Sequence, residues 1–220
     1  MGFIALDKVD NLLWLGRYSE RVYTTIKEFF KGFDLMLDDE NFYHVYCKHL
    51  QIPDIYQNQK DFIEKYVSDK NNVDSIISNL YRAYDNCIVL RNEIGSETLS
   101  YLELALSDLE SINDFESFII DLQTVLDHIL AFWACLDDTV ASSEVRSIVK
   151  LGKRLERLDL YLRLRKDKND LDKAFRFLEY RINKNTIAFD KEKFMELKKL
   201  MNEKELPYYQ AIEIVERLVD

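Results

Sequence analysis

The sequence predicts an all-α protein built as a single antiparallel helical bundle. Only 5 glycines and 2 prolines interrupt 220 residues, which leaves few places for strands to turn. Leu, Ile, Lys, Glu and Asp recur at a helical period along the whole chain. The periodic segments are joined by short connections, which favour antiparallel neighbours. With 47% hydrophobic residues the chain is long enough to bury one substantial core. No linker divides it, so residues 1–220 read as one domain.

Asp7 is placed to cap a first helix that runs to about Leu37, because nothing before Asp38-Asp39 stops it. Leu15, Tyr18, Val22, Ile26, Phe29 and Phe33 fall on one face and form its core stripe. Residues 40–68 predict two short helices joined by a turn near Ile52-Pro53-Asp54. Asn71 or Asn72 is placed to cap a helix through about Arg91, and Gly95-Ser96 supplies a stop and a new N-cap. Asn113-Asp114-Phe115-Glu116 has the form of a capping box. The helix it opens contains Phe118, Leu122, Val125, Ile129, Phe132 and Trp133 and should end near Val140. Ser142 or Ser143 begins the next, whose stripe of Ile148, Leu151, Leu155, Leu158 and Leu162 runs to about Arg165, with Lys166–Asp170 as its exit. Residues 171–183, 190–203 and 207–219 each suit a further helix, the last with Pro207 in its first turn.

Two of these helices share a pattern. Leu15-Gly16-Arg17-Tyr18-Ser19-Glu20-Arg21 and Leu151-Gly152-Lys153-Arg154-Leu155-Glu156-Arg157 both reduce to Leu-Gly-basic-x-x-Glu-Arg. Glycine inside a helix costs about 1 kcal/mol relative to alanine, so its presence in both copies predicts close approach of another backbone. On a helical wheel Arg17 and Glu20 lie largely opposite the apolar stripe, facing either solvent or a second partner. Three arrangements follow. The favoured one is a partly buried network where the two motif helices meet as antiparallel neighbours about an approximate two-fold, with Glu20 and Glu156 satisfied by Arg21 and Arg157. The second is a fork of Arg17, Arg21, Arg154 and Arg157 that holds a carboxylate or phosphate. The third is an exposed charge network of little energetic consequence.

Several function classes are disfavoured. A net charge of -10 argues against a general nucleic-acid binder. Cys47, Cys87 and Cys135 are odd in number and widely spaced, so reduced, partly buried thiols are expected in place of a disulfide framework or zinc ribbon. Met1–Leu6 lacks a basic export region, and no segment is expected to supply the roughly 20 apolar residues of a membrane span. A soluble cytoplasmic protein is the expectation. His44, His49 and His128 do not follow the Glu-x-x-His spacing of a di-iron bundle, so no metal is expected. Asp137-Asp138 reads as a solvated helix end. No phosphate loop or nucleophile elbow is present, and no cofactor is implied.

The residues resemble a known family. Asp10-Asn11-Leu12 followed by Trp14–Arg21 is similar to the opening of the bacterial alpha-E proteins, all-helical proteins named for a Glu-Arg motif, and Leu151–Arg157 resembles their second copy, preceded by Asp138-Thr139-Val140. Arg82–Asn86 and Arg91–Glu97 resemble the family's middle signature, most closely at Asn86, Arg91, Ser96 and Glu97. The resemblance covers roughly residues 7–165, with residues 166–220 as additional C-terminal helices. Ser19 stands where the family carries a large apolar residue, and Lys153 where it can carry arginine. The family has no established activity. Its genes often neighbour those of ATP-grasp-like and transglutaminase-like proteins. The resemblance therefore implies a noncatalytic scaffold or accessory subunit of a peptide ligation or modification system, with one of those proteins as partner and a homo-oligomer left open. The alternative is an enzyme or anion-binding protein with Glu20 or Glu156 as acid/base.

Overall fold

The computed structural model describes residues 6–112, 118–185 and 187–219, with side chains from residue 8 onward. Among the described residues there are eleven α-helices and no strand. In chain order they are α1 (Leu6–Asp38), α2 (Phe42–Leu50), α3 (Gln59–Ser68), α4 (Ile76–Val89), α5 (Arg91–Ile94) and α6 (Ser96–Ser111), followed by α7 (Phe118–Thr139), α8 (Ser143–Arg163), α9 (Lys168–Lys184), α10 (Lys191–Met201) and α11 (Tyr208–Glu216).

Local chemistry explains most boundaries. Asn58, Ser75, Ser142, Asp167 and Asp190 each accept a backbone N–H of the first turn they precede, which satisfies donors that a helix start leaves open. Two of these caps differ from the sequence reading. α4 starts at Ser75, not at Asn71 or Asn72, because the Asn72 side chain is engaged in the preceding turn: it accepts from the Asp74 amide and donates to the Tyr56 hydroxyl. The charged run 166–170 is the start of α9, with Asp167 as its cap, and not the exit of α8. Gly95, at φ 81°, provides the expected break, but Ser96 is already helical and its hydroxyl accepts from Arg91 Nε at 2.9 Å. Pro207 sits just before α11, one step earlier than expected. α1 begins at Leu6, so Asp7 falls within its first turn. The predicted capping box at 113–116 lies outside the described residues.

Consecutive long helices reverse direction. α4 returns along α1, with Lys8 paired to Glu93 and the Arg82 guanidinium over the Tyr18 ring. α7 returns along α6, joining Thr98 to Thr139 and Asp108 to His128. α9 returns along α8, joining Arg154 to Phe177 and Ser147 to Asn185. The core is continuous. One end is aromatic, where Phe29 of α1 meets Tyr46, Phe62, Tyr66 and Phe118.

α7 corrects one expectation. It is long and apolar enough to span a membrane by length and composition, with a mean hydropathy of 1.5 over its most apolar window. In this fold its stripe of Phe118, Leu122, Val125, Ile129 and Phe132 is instead buried in the bundle core. All three cysteines are buried and unpaired.

Candidate functional site

The two motif helices meet, but they run parallel. Contacts along α1 and α8 advance together, from Gly16 against Val149, through Arg21 on Glu156, to Glu28 beside Lys166. The antiparallel expectation applied the short-connection rule to helices that are not consecutive. Between α1 and α8 the chain reverses an even number of times, through α4, α6 and α7, so α8 points the same way as α1.

Glycine makes the approach possible. A Cβ built on Gly16 would overlap the Val149 carbonyl oxygen and lie 2.9 Å from the Lys153 nitrogen. On Gly152 it would overlap the Leu13 carbonyl oxygen and lie 3.2 Å from the Arg17 nitrogen. The contacts are reciprocal: each glycine packs on the residue three before its counterpart and the residue one after it. Backbone touches backbone at both points, so no flexible side chain can yield. That is the compensation the two glycines required.

The charges follow from this closeness. Glu20 and Glu156 are each 0% exposed, although the wheel placed Glu20 away from the core stripe. The middle of α1 is buried on every side, so the face opposite its apolar stripe meets α8 and not water. Pairing crosses between the helices. Glu156 accepts Arg17 Nε at 2.8 Å on Oε2 and Arg21 Nε at 2.5 Å on Oε1. Glu20 Oε1 accepts from Arg157 Nε and, at 3.0 Å, from Thr24 Oγ1. Burial pushes the Glu156 carboxyl up, but the Arg21 and Arg17 charges outweigh it and hold the group below its ordinary range. Burial likewise works against the charge on Arg21 and Arg157, and their glutamates overcome it.

The charge pairing of the two halves differs because of one residue. Lys153 occupies the place of Arg17, yet its ammonium lies 3.7 Å from the centroid of Trp133 and makes no ion pair among the described residues. Glu20 therefore lacks the second guanidinium that Glu156 has, and its Oε2 is buried without a hydrogen-bond partner. Burial lowers the Lys153 pKa to about 7, with Glu20 opposing and Arg157 adding to the shift. Ser19, also fully buried, has an unpartnered hydroxyl where the second copy carries the apolar Leu155.

Five of the six predicted motif residues are thus brought together: Arg17, Glu20, Arg21, Glu156 and Arg157. Arg154 is not among them. It faces α9, with its guanidinium 4.6 Å from the Phe177 ring centroid, because its place in the heptad points away from α1. The middle-signature residues lie elsewhere. Asn86 donates to the Arg82 carbonyl at 2.8 Å, Arg91 is tied to Ser96, and Glu97 lines a shallow surface depression with Asp138 and Thr139. Asp137, beside them, pairs with Lys150. Among the described residues no three His, Cys, Asp or Glu side chains cluster as a metal site would need.

The sequence reading missed an extension of the network. Asp159, 2% exposed, accepts from Arg163 Nε at 2.9 Å, and Arg163 continues to Gln51 at 2.8 Å and to Glu216 at 2.5 Å. Its signal was the spacing Glu156, Asp159, Arg163, which puts all three on one face of α8. Burial, reinforced by Glu156, raises the Asp159 carboxyl despite Arg163. Arg21, Asp159 and Arg163 border a cavity of about 240 Å³, whereas Arg17 and Arg157 do not reach it.

Gly16→Ala and Gly152→Ala should each lower the unfolding free energy by about 3 kcal/mol, the upper range for overpacking. Urea titration measures this, and a gain of about 1 kcal/mol, which helix propensity alone would give, would refute the backbone contact. Lys153 gives a pH signature. Its folded pKa of about 7 lies below its ordinary 10.5, so the folded state binds fewer protons between those values and stability should rise with pH across that window. Thermal melts should show the rise in the wild type and not in Lys153→Met; parallel profiles would refute it.

The Alpha-E family model, described as a predicted alpha-helical domain with a conserved ER motif, matches residues 8–184. The match extends past residue 165, where the resemblance was expected to end, and takes in α9. No curated protein and no solved structure matches the chain. Two Glu-Arg pairs fall within the matched residues, Glu20-Arg21 and Glu156-Arg157, and they are the pairs that join α1 to α8. The chain belongs to the Alpha-E family.

Proposed function

We propose that this protein is a noncatalytic helical subunit, a cytoplasmic scaffold or accessory partner of an ATP-grasp-like or transglutaminase-like enzyme in a peptide ligation or modification system. The observation that carries the noncatalytic reading is the complete burial of Glu20 and Glu156 against arginines of the opposite helix. A general acid or base must come within hydrogen-bond reach of its substrate, and both carboxylates are enclosed by the helix pair. Arg17 and Arg157 are drawn into the same pairs, which weighs against a fork open to a large anion. The motif then serves as a structural lock, and association takes place on the outer surface of the bundle. The class of partner rests on the gene neighbourhood that family membership implies. The net charge of -10 favours a protein partner over nucleic acid.

Purification of the tagged chain from its native organism tests this reading. An ATP-grasp-like or transglutaminase-like protein should be retained in stoichiometric amount through a salt wash. Recovery of the chain alone as a monomer, at native expression levels, would contradict it.

A further inference from the structure

At the C-terminal side of the lock, residues of α1, α4 and α8 line the cavity of about 240 Å³, which is partly open to solvent and is also lined by the exposed Gln51, after α2, and Glu216 of α11. Its walls are polar and of two kinds. Arg21 gives its Nε to Glu156, and its terminal Nη groups have no acceptor among the described residues. Glu156 is shared between the two arginines, one oxygen to Arg17 and one to Arg21. Across from it, Asp159 Oδ1 is buried without a hydrogen-bond partner, and Asp74 makes no ion pair among the described residues. Arg163 directs one hydrogen from each of its three nitrogens to Asp159 Oδ2, Gln51 and Glu216, and none of these bonds reaches Asp159 Oδ1 or Asp74.

A buried carboxylate oxygen without a donor is costly unless a ligand supplies one. We propose that this cavity binds a small zwitterion, a free α-amino acid, whose carboxylate meets the Arg21 guanidinium and whose ammonium meets Asp159 and Asp74. Arg21 presents the planar donor fork that suits a carboxylate. The two aspartates present acceptors to an ammonium, which has donors only. A cavity of about 150 Å³ holds a benzene-sized ligand, so this volume accepts a compact amino acid. The raised Asp159 carboxyl fits the same picture, because a bound ammonium supplies the counter-charge that burial and Glu156 deny it. The site does not depend on the association proposed above, since no lining residue is required at an outer surface.

Calorimetry and thermal melts on the full chain with millimolar glycine, alanine, serine, aspartate and glutamate test the site. At least one should bind and raise the melting temperature. The N-acetyl derivative and the methyl ester of that amino acid should each bind about ten-fold more weakly or worse, a loss of about 1.4 kcal/mol. Asp74→Asn, which lies outside the lock, should keep the wild-type circular dichroism and lose affinity to a similar degree. The proposal is overturned if none of the five binds. It is also overturned if the N-acetyl form binds equally, which marks a plain anion site, or if the ester does, which marks a plain ammonium site. Undiminished binding to a folded Asp74→Asn variant overturns the placement of the ammonium.

Discussion

Two helix backbones in direct contact at Gly16 and Gly152 set the conditions that the rest of the structure meets. At that distance the next turn of each helix carries its glutamate into the interface, where water is excluded. A carboxylate so placed must be paired and hydrogen-bonded to remain charged. The residue immediately after each glutamate is an arginine, and it answers the glutamate of the other helix. Glycine and Glu-Arg are therefore one device: the first brings the helices together, and the second neutralises what that closeness buries.

The device also explains the architecture. A parallel pair cannot be made from consecutive helices with short connections, so the chain must run through α4, α6 and α7 before α8 takes its place beside α1. Of these, α4 and α7 cover α1, while α9 and α11 cover α8. Buried ion pairs often add little net stability compared with apolar residues of similar size, yet breaking one is expensive. Their value here lies in register. A slip of α8 by one turn would remove both glycines from their contacts and leave Glu20 and Glu156 facing the wrong residues. The unequal halves show how tightly the arrangement is drawn: with lysine in place of arginine at 153, one oxygen of Glu20 has no partner.

Much of this was legible in the sequence, for identifiable reasons. The core stripes of α1, α7 and α8 stood out because apolar side chains must repeat at 3.6 residues to reach one side, and Leu15, Val22, Ile26, Leu122, Ile129, Leu155 and Leu158 are all buried. The glycines were informative because nothing local justifies them inside long helices. Helix direction was not legible, since relative orientation depends on how many times the chain turns between two helices and not on either helix. The burial of Glu20 was hidden for a related reason: a wheel shows one apolar stripe, whereas the middle of α1 is covered by α8 on the face opposite that stripe as well. The start of α4 was misplaced because Asn72 and Ser75 both suit a cap by residue type, and in the fold the Asn72 side-chain oxygen accepts the Asp74 amide instead. Gln51 and Glu216 could not be joined to Arg163 from sequence, because their approach depends on how α2 and α11 dock.

The function proposed follows from where the charged residues are not. Glu20, Glu156 and Arg17 do not lie open on the surface, and the network reaches a cavity through Arg21, Asp159 and Arg163. The central claim is that Glu20 and Arg157 form a buried pair on which the union of α1 and α8 depends, and a double-mutant cycle tests it most directly. Unfolding free energies would be measured in urea for Glu20→Ala, Arg157→Ala and the double variant. A buried lock predicts about 3–5 kcal/mol lost in each single variant and a double variant little worse than either. Single losses below about 1 kcal/mol that simply add, as exposed surface pairs give, would contradict it.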